Sequence, residues 1–156
     1  MEKEATKPKK KVLTEEEKAA RMEAARKYTD TLVDKAAAAE SEYAHFTQDQ
    51  VDKIVAAAAL AGSEAALMLA HEAVEETNRG VVEDKDTKNR FATENIYNAI
   101  KDEKTVGIIA EDKIKGEVQI AAPLGVLAGI VPTTNPTSTA MFKSLMALKT
   151  RNAIVF

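Results

Sequence analysis

The segment from residue 124 to residue 156 constrains the fold more than any other part of the chain. Its first stretch, LGVLAGIV, is apolar on every side, as in a parallel strand that is covered on both faces. Pro132 and Pro136 then bracket a loop, Ser138 to Lys149 has an amphipathic helical pattern, and AIVF predicts a second buried strand. Strand, helix and strand form a βαβ unit, which predicts two parallel strands with a right-handed crossover.

Such a unit is incomplete by itself, because parallel strands with two apolar faces need further strands and covering helices. The rest of the chain does not supply them. The sequence therefore predicts an α/β fold in which N-terminal helices and a β-hairpin lead into the first strands of a parallel Rossmann-like sheet. We expect the chain to be the leading part of a larger protein.

Helical spacing of apolar residues dominates the region before this unit. Capping boxes at Thr14–Glu17 and Thr47–Gln50 predict two helix starts, and Gly80 is suited to a left-handed helix stop. One apolar stripe is predicted along the first helix, and a third helix is predicted over Asp84 to Lys101. The stretches TVGIIA and GEVQIA then predict a hairpin.

The composition limits the possible chemistry. A net charge of -3 gives no basic bias toward nucleic acid, and no apolar run reaches transmembrane length, so we expect a cytoplasmic protein. The absence of cysteine excludes disulfides, thiolate metal sites and a cysteine nucleophile within these residues. His45 and His71 fall in separate predicted helices, and no metal site is predicted. Lys143, Lys149 and Arg151 are expected on the solvated side and last turn of their helix.

Asn135 is the candidate functional residue, because it follows the predicted strand at the edge where open α/β sheets bind ligands. Held between two prolines, its amide N–H group can stabilise a developing oxyanion. It can equally cap the following helix or form an Asx turn, which is the commoner role of asparagine at such a position. The residue type leaves both roles open.

Four stretches of the sequence resemble one enzyme family. They are FTQDQVDKIVAAAALA, GVVEDKDTKNRFATENIYNAIKDEKT, APLGVLAGIVP and GIVPTTNPTSTAMFKSLMALKTRNAIVF. Together they closely resemble the N-terminal aldehyde dehydrogenase half of the bacterial bifunctional aldehyde–alcohol dehydrogenases, over residues 44–156. The resemblance implies an oxidoreductase that reduces acetyl-CoA to acetaldehyde with NADH. In a full-length enzyme it also implies reduction of acetaldehyde to ethanol, with iron used only in an alcohol dehydrogenase half that this chain lacks.

The resemblance also implies roles for the loop. Asn135 matches the residue that stabilises the oxyanion, after a cysteine thiolate has attacked the acyl-CoA. The residues implied along the nicotinamide end of NAD(H) are Ile130, Val131, Pro132, Thr133, Thr134 and Asn135. Thr134 stands where generic aldehyde dehydrogenases carry tryptophan, which is a feature of the acyl-CoA-reducing branch. Because the chain has no cysteine, we expect it to be inactive in isolation.

The resemblance further implies an organisation and partners. We expect a disordered arm (1–13), a helical region (14–104), an oligomerisation hairpin (105–122) and the start of an NAD-binding domain (123–156). The family forms filaments, so a homo-oligomer is expected, with no nucleic acid or membrane partner. Two alternatives remain: a non-catalytic assembly module, or part of a single-function acylating aldehyde dehydrogenase.

Overall fold

The computed structural model of the chain describes residues 13–156, so the arm expected over residues 1–13 lies almost wholly outside the described residues. The chain divides into two compact units, Met1–Leu32 and Val33–Phe156. Its elements in chain order are α1 (Glu15–Tyr43), α2 (Gln48–Glu64), α3 (Ala66–Thr77), α4 (Val82–Arg90), a π-helical segment (Phe91–Asn95), α5 (Ile96–Ile100), β1 (Gly107–Asp112), β2 (Glu117–Ala121), β3 (Val126–Ala128), α6 (Pro136–Lys149) and β4 (Ala153–Val155).

The described part of the first unit is the N-terminal portion of α1. Its capping box is formed as predicted: the Glu17 N–H donates to Thr14 Oγ1 over 3.1 Å, and the Thr14 N–H donates to Glu17 Oε2 over 2.9 Å. No residue of α1 is buried, and Tyr28 is 67% exposed. The predicted apolar stripe is therefore exposed at Tyr28, and only Leu32, Ala36 and Tyr43 of it are half-buried, with Tyr43 packed against the core of the second unit.

The core of the second unit lies between α2 and α6. Val51, Val55 and Ala59 recur every four residues along α2, so they share one face, and they pack with Leu145 of α6. The predicted capping box at Thr47 is formed and starts α2. Through this core, α6, which is the helix that follows the candidate loop, packs against α2.

Helices α2 and α3 meet at Ala65, which is the C-cap of α2 and the N-cap of α3. Small residues on α3 (Ala66, Ala70 and Ala73) are buried, as the sequence predicts.

Within residues 13–156, no single helix is long and apolar enough to cross a membrane. The pair α2 and α3 passes that test together by length and composition only, and it is bent by 60°.

The third predicted helix, Asp84 to Lys101, begins two residues earlier, at Val82, and is not uniform. A π-helical segment interrupts it between α4 and α5. Gly62 of α2 lies directly against this segment, because a Cβ built on Gly62 would lie 2.7 Å from Thr93 Cγ2. A glycine on α2 thus allows the close approach of the interrupted helix.

The predicted hairpin is present as an antiparallel pair. Strands β1 and β2 pair Asp112 with Glu117 at the turn, and a register irregularity falls between Ile108 and Ala110. Large apolar side chains of the hairpin are exposed: Ile108, Ile109, Ile114, Val118 and Ile120. The hairpin therefore packs little of its apolar surface within this chain.

The βαβ unit is confirmed, with β3 and β4 paired in parallel and α6 between them. Strand β3 is much shorter than the apolar stretch that predicted it. Gly129 follows it and is close-packed, because an added Cβ would overlap the Phe156 ring. Gly125, by contrast, has φ of 107° and no neighbour near its missing Cβ, so it is needed for backbone conformation and not for packing.

Candidate functional site

The loop between β3 and α6 is held by lysines from two helices. Lys143 of α6 reaches back and donates from Nζ to the Ile130 carbonyl oxygen over 2.8 Å. Lys85 of α4 donates from Nζ to the Thr134 carbonyl oxygen over 2.9 Å. Lys85 is only 5% exposed, so this contact is made by a buried ammonium group. The two lysines fix the loop near its beginning and its end.

Asn135 occupies the N-cap position of α6, and Pro136 is the first residue of the helix. Its side chain makes no capping hydrogen bond to the helix backbone. Instead, Asn135 Oδ1 accepts from Lys88 Nζ over 3.1 Å, and Nδ2 has a long contact of 3.5 Å with Thr134 Oγ1. Asn135 is therefore the N-cap residue of α6 by its backbone position, but its side chain does not cap the helix and instead contacts Lys88 of α4.

A buried polar chain fixes the first turn of α6 to the helices beneath it. Thr137 Oγ1 donates to Asn89 Oδ1 over 2.7 Å, and Asn89 Nδ2 donates to the Ala66 carbonyl oxygen over 2.9 Å. Thr93 Oγ1 donates to the Asn89 carbonyl oxygen over 2.9 Å. Asn89 is 1% exposed, and both ends of its amide are paired. Thr137, in the first turn of α6, is therefore positioned by hydrogen bonds and not by apolar packing alone.

Asn135 lines a cavity of about 660 Å³ between α4, the π-helical segment, α5 and α6. Its lining residues are Thr87, Lys88, Phe91, Ala92, Ile96, Asn135, Ser138, Thr139 and Phe142. Lys88 is the only ionisable residue in this lining. The remainder is aromatic, aliphatic or hydroxyl-bearing, so the cavity has the mostly apolar wall with a few polar groups that is typical of small-molecule sites.

The six predicted loop residues have different surroundings. Ile130 is 80% exposed, Pro132, Thr133 and Thr134 are exposed, and Val131 is half-buried. Of the six, only Asn135 lines the cavity. The structure thus places Asn135 at the cavity wall and the other five on a stretch of chain that presents an accessible face.

Sequence reasoning missed the lysines that hold the loop. Lys85 and Lys88 are three residues apart on α4 and therefore share one face, but this spacing does not indicate what that face contacts. Lys143 was expected to be solvated but binds the Ile130 carbonyl. The expectation that Lys149 and Arg151 are solvated is wrong, because they are 3% and 8% exposed.

Histidines and carboxylates form no second centre in the described chain. His45 and His71 are both exposed; His71 lies on α3 as predicted, but His45 lies in the turn between α1 and α2 and not in a helix. Within residues 13–156, no group of three or more histidine, cysteine, aspartate or glutamate side chains is arranged to hold a metal ion.

Comparison with known proteins identifies close relatives, although no protein-family model matches the chain. The bifunctional aldehyde-alcohol dehydrogenase of Escherichia coli K12 is 60% identical over 127 residues, which are 81% of this chain and 14% of that protein. The aldehyde-alcohol dehydrogenase of Streptococcus pneumoniae serotype 4 is 54% identical over 147 residues, 94% of this chain and 16% of that protein. The chain is homologous to the N-terminal acetaldehyde dehydrogenase region of these enzymes. It spans about one seventh of the length of the first of these aldehyde–alcohol dehydrogenases.

Solved structures agree with this homology. An acetylating aldehyde dehydrogenase from Geobacillus thermoglucosidasius superposes with a TM-score of 0.82 at 51% identity, over 83% of this chain and 29% of the other. A propionaldehyde dehydrogenase of Rhodopseudomonas palustris, solved with bound CoA and an acylated cysteine, gives a TM-score of 0.65 at 30% identity, over 81% of this chain and 29% of the other. The α/β fold of this chain is therefore that of the corresponding part of the acetylating aldehyde dehydrogenases.

Proposed function

We propose that this chain contributes the oxyanion-stabilising loop of an acylating acetaldehyde dehydrogenase, which reduces acetyl-CoA to acetaldehyde with NADH. The observation that carries the proposal is the position of Asn135. Its side chain lies at the wall of a cavity and is not used to cap α6. An uncharged N–H donor at such a wall can stabilise negative charge on an acyl oxygen as the acyl carbon becomes tetrahedral.

The nucleophile in this proposal is a cysteine thiolate, which these 156 residues do not contain. It attacks the acyl-CoA thioester and CoA leaves. The acyl group is then bound to the cysteine, which matches the acylated cysteine and bound CoA of the Rhodopseudomonas palustris relative. Without that thiol, we expect no turnover by this chain alone.

The proposed cofactor site is the stretch Ile130 to Asn135. The exposed residues Thr133 and Thr134 carry hydroxyl groups that suit a polar dinucleotide. When bound, NADH supplies the hydride that reduces the acyl group. The contribution of this chain is to hold the stretch in place, since Lys85 and Lys143 bind its carbonyl groups. Iron has no proposed role in these residues and belongs only to an alcohol dehydrogenase half, which in a full-length enzyme reduces acetaldehyde to ethanol.

The proposed partners follow from the same homology. We assign residues 14–104 to a helical region, 105–122 to an oligomerisation hairpin and 123–156 to the start of an NAD-binding domain. The exposed apolar side chains of β1 and β2 support association with further copies of the enzyme. A cytoplasmic location, and the absence of nucleic acid and membrane partners, stay predictions. The exposed apolar side chains of the hairpin also favour the second candidate function, which is a non-catalytic assembly module.

The decisive experiment places the chain in a complete enzyme. This chain replaces the matching segment of the Escherichia coli relative, and the kcat of acetyl-CoA reduction is measured for the parent graft and for Asn135→Ala. We expect the kcat of the variant to fall by about a hundred- to a thousand-fold, as when an oxyanion donor is lost. Asn98→Ala, at an exposed position of α5, is the matched control. A near-normal kcat for Asn135→Ala would leave only the assembly function.

A further inference from the structure

Lys88 contacts the candidate residue Asn135 directly. It is exposed, and no carboxylate within residues 13–156 lies at ion-pair distance from its Nζ atom. Its hydrogen-bond partner is an uncharged one, Asn135 Oδ1 at 3.1 Å. The ammonium group and the amide therefore meet at the wall of the cavity that both residues line.

The geometry of an amide explains what this contact does. The oxygen and the nitrogen of the side-chain amide lie in one rigid plane, on opposite sides of the Cβ–Cγ bond, so a donor that fixes the oxygen also fixes where the NH₂ group points. A charged donor makes a stronger hydrogen bond than a neutral one. It also polarises the amide, which makes the N–H groups better donors. In Asn135, the only further contact of Nδ2 is the long one to Thr134 Oγ1, so N–H capacity remains for an acceptor in the cavity.

A neighbouring lysine supports the backbone beneath this amide. Lys85 lies three residues before Lys88, on the same face of α4, and its buried Nζ binds the Thr134 carbonyl oxygen over 2.9 Å. The peptide that precedes Asn135 is thus anchored by one lysine of α4, and the side-chain amide by the other. Helix α4 therefore controls both the position and the rotation of the amide.

We propose that Lys88 is a positioning residue for Asn135: its ammonium group holds the amide oxygen, so that Nδ2 is presented to the reacting oxygen in the cavity. This inference rests on the proposed function, because it assigns Lys88 a role only through the amide of Asn135. Lys88 itself does not touch the acyl group. Its removal should therefore lower kcat while leaving substrate affinity nearly unchanged.

The test uses the same grafted enzyme. For Lys88→Met, which keeps an unbranched side chain but removes the ammonium group, we expect kcat to fall by about tenfold, with KM for acetyl-CoA within about twofold. Lys88→Arg should restore kcat to within about threefold of the parent, because a guanidinium group can also donate to Oδ1. Lys88→Gln keeps a neutral donor and should lie between the two, and it replaces Lys88→Met if that variant fails to assemble. Lys53→Met, at an exposed position of α2, is the matched control.

A double variant separates this inference from the proposed function. If Lys88 acts through Asn135, then Lys88→Met combined with Asn135→Ala should be no slower than Asn135→Ala alone. Multiplied losses in the double variant, or a normal kcat for Lys88→Met beside a slow Asn135→Ala, would overturn the inference and leave the role of Asn135 intact. A normal kcat for Asn135→Ala would overturn both.

Discussion

Lys149 Nζ lies 2.6 Å from Asp52 Oδ1, and this ion pair joins the last turn of α6 to α2. The lysine side chain is 3% exposed and the aspartate 39%. The same ammonium group donates to the Lys101 carbonyl oxygen over 2.9 Å. A buried cation is stable only when its hydrogen bonds are satisfied, so this pair is where the packing of α6 on the N-terminal helices is most sensitive to a lost charge.

We expect Asp52→Ala to lower the free energy of unfolding by about 2 kcal/mol, because it leaves Lys149 buried without a counter-ion. The chain contains a matched control on the same helix. Asp49 pairs with Lys53 over the same 2.6 Å, but those side chains are 75% and 74% exposed. Asp49→Ala should therefore cost less than about 0.5 kcal/mol. Urea unfolding of both variants checks the difference, and equal losses would contradict the importance of burial here.

The sequence was sufficient for the features that depend on local chemistry. Both predicted capping boxes, at Thr14 and at Thr47, are formed and start helices. The βαβ unit was predicted from two apolar stretches, the prolines between them and one amphipathic helical pattern. The sequence did not predict the π-helical interruption of the third predicted helix. That interruption lies where Thr93 packs on Gly62, which is distant from it in the sequence.

That contact between Gly62 and Thr93 gives a second prediction. Glycine inside a helix is normally about 1 kcal/mol less stable than alanine, so Gly62→Ala would stabilise an isolated α2. In this fold the added Cβ would lie 2.7 Å from Thr93 Cγ2, which is well inside ordinary contact. We expect Gly62→Ala to destabilise the chain by about 1–2 kcal/mol in urea unfolding.

The cause of that loss is tested in a second background. Thr93→Ser removes Cγ2 but keeps the hydroxyl group that binds the Asn89 carbonyl oxygen. When combined with Thr93→Ser, Gly62→Ala should be neutral or stabilising. If it remains as costly as in the parent, the close approach of α2 to the π-helical segment does not determine the effect.

The sequence predicted Asn135 as a candidate site residue, but it did not predict the lysines that contact the loop. Asn135 could be found because two prolines and a preceding apolar strand define its position along the chain. Lys85 and Lys88 could not be found in this way, because they precede the loop residues that they bind by more than forty residues. Their pairing is created by the packing of α4 against α6, and tertiary contacts of this kind leave no periodic signal.

Tyr43 gives the pH dependence that the structure supports. Its hydroxyl group donates to the Leu148 carbonyl oxygen over 2.9 Å, and burial raises the pKa of Tyr43 above the ordinary value of 10.0. Nearby Arg151 lowers this pKa and Asp52 raises it, each by less than burial does. The protonated hydroxyl therefore stabilises the folded chain. This contribution is complete below pH 10 and is lost as the pH rises through the folded-state pKa.

We expect Tyr43→Phe to lower the free energy of unfolding by about 1 kcal/mol at pH 7, because the hydrogen bond to Leu148 is lost while the ring is kept. Above pH 10 the difference between parent and variant should shrink, since the parent then loses the same contribution. Lysines titrate in the same range, so the quantity to measure is the difference between the two proteins in urea unfolding from pH 7 to 11. Tyr28→Phe, whose side chain is 67% exposed, should show no such change. A difference for Tyr43→Phe that stays constant across this range would show that the Tyr43 hydroxyl ionises equally in the folded and unfolded chain.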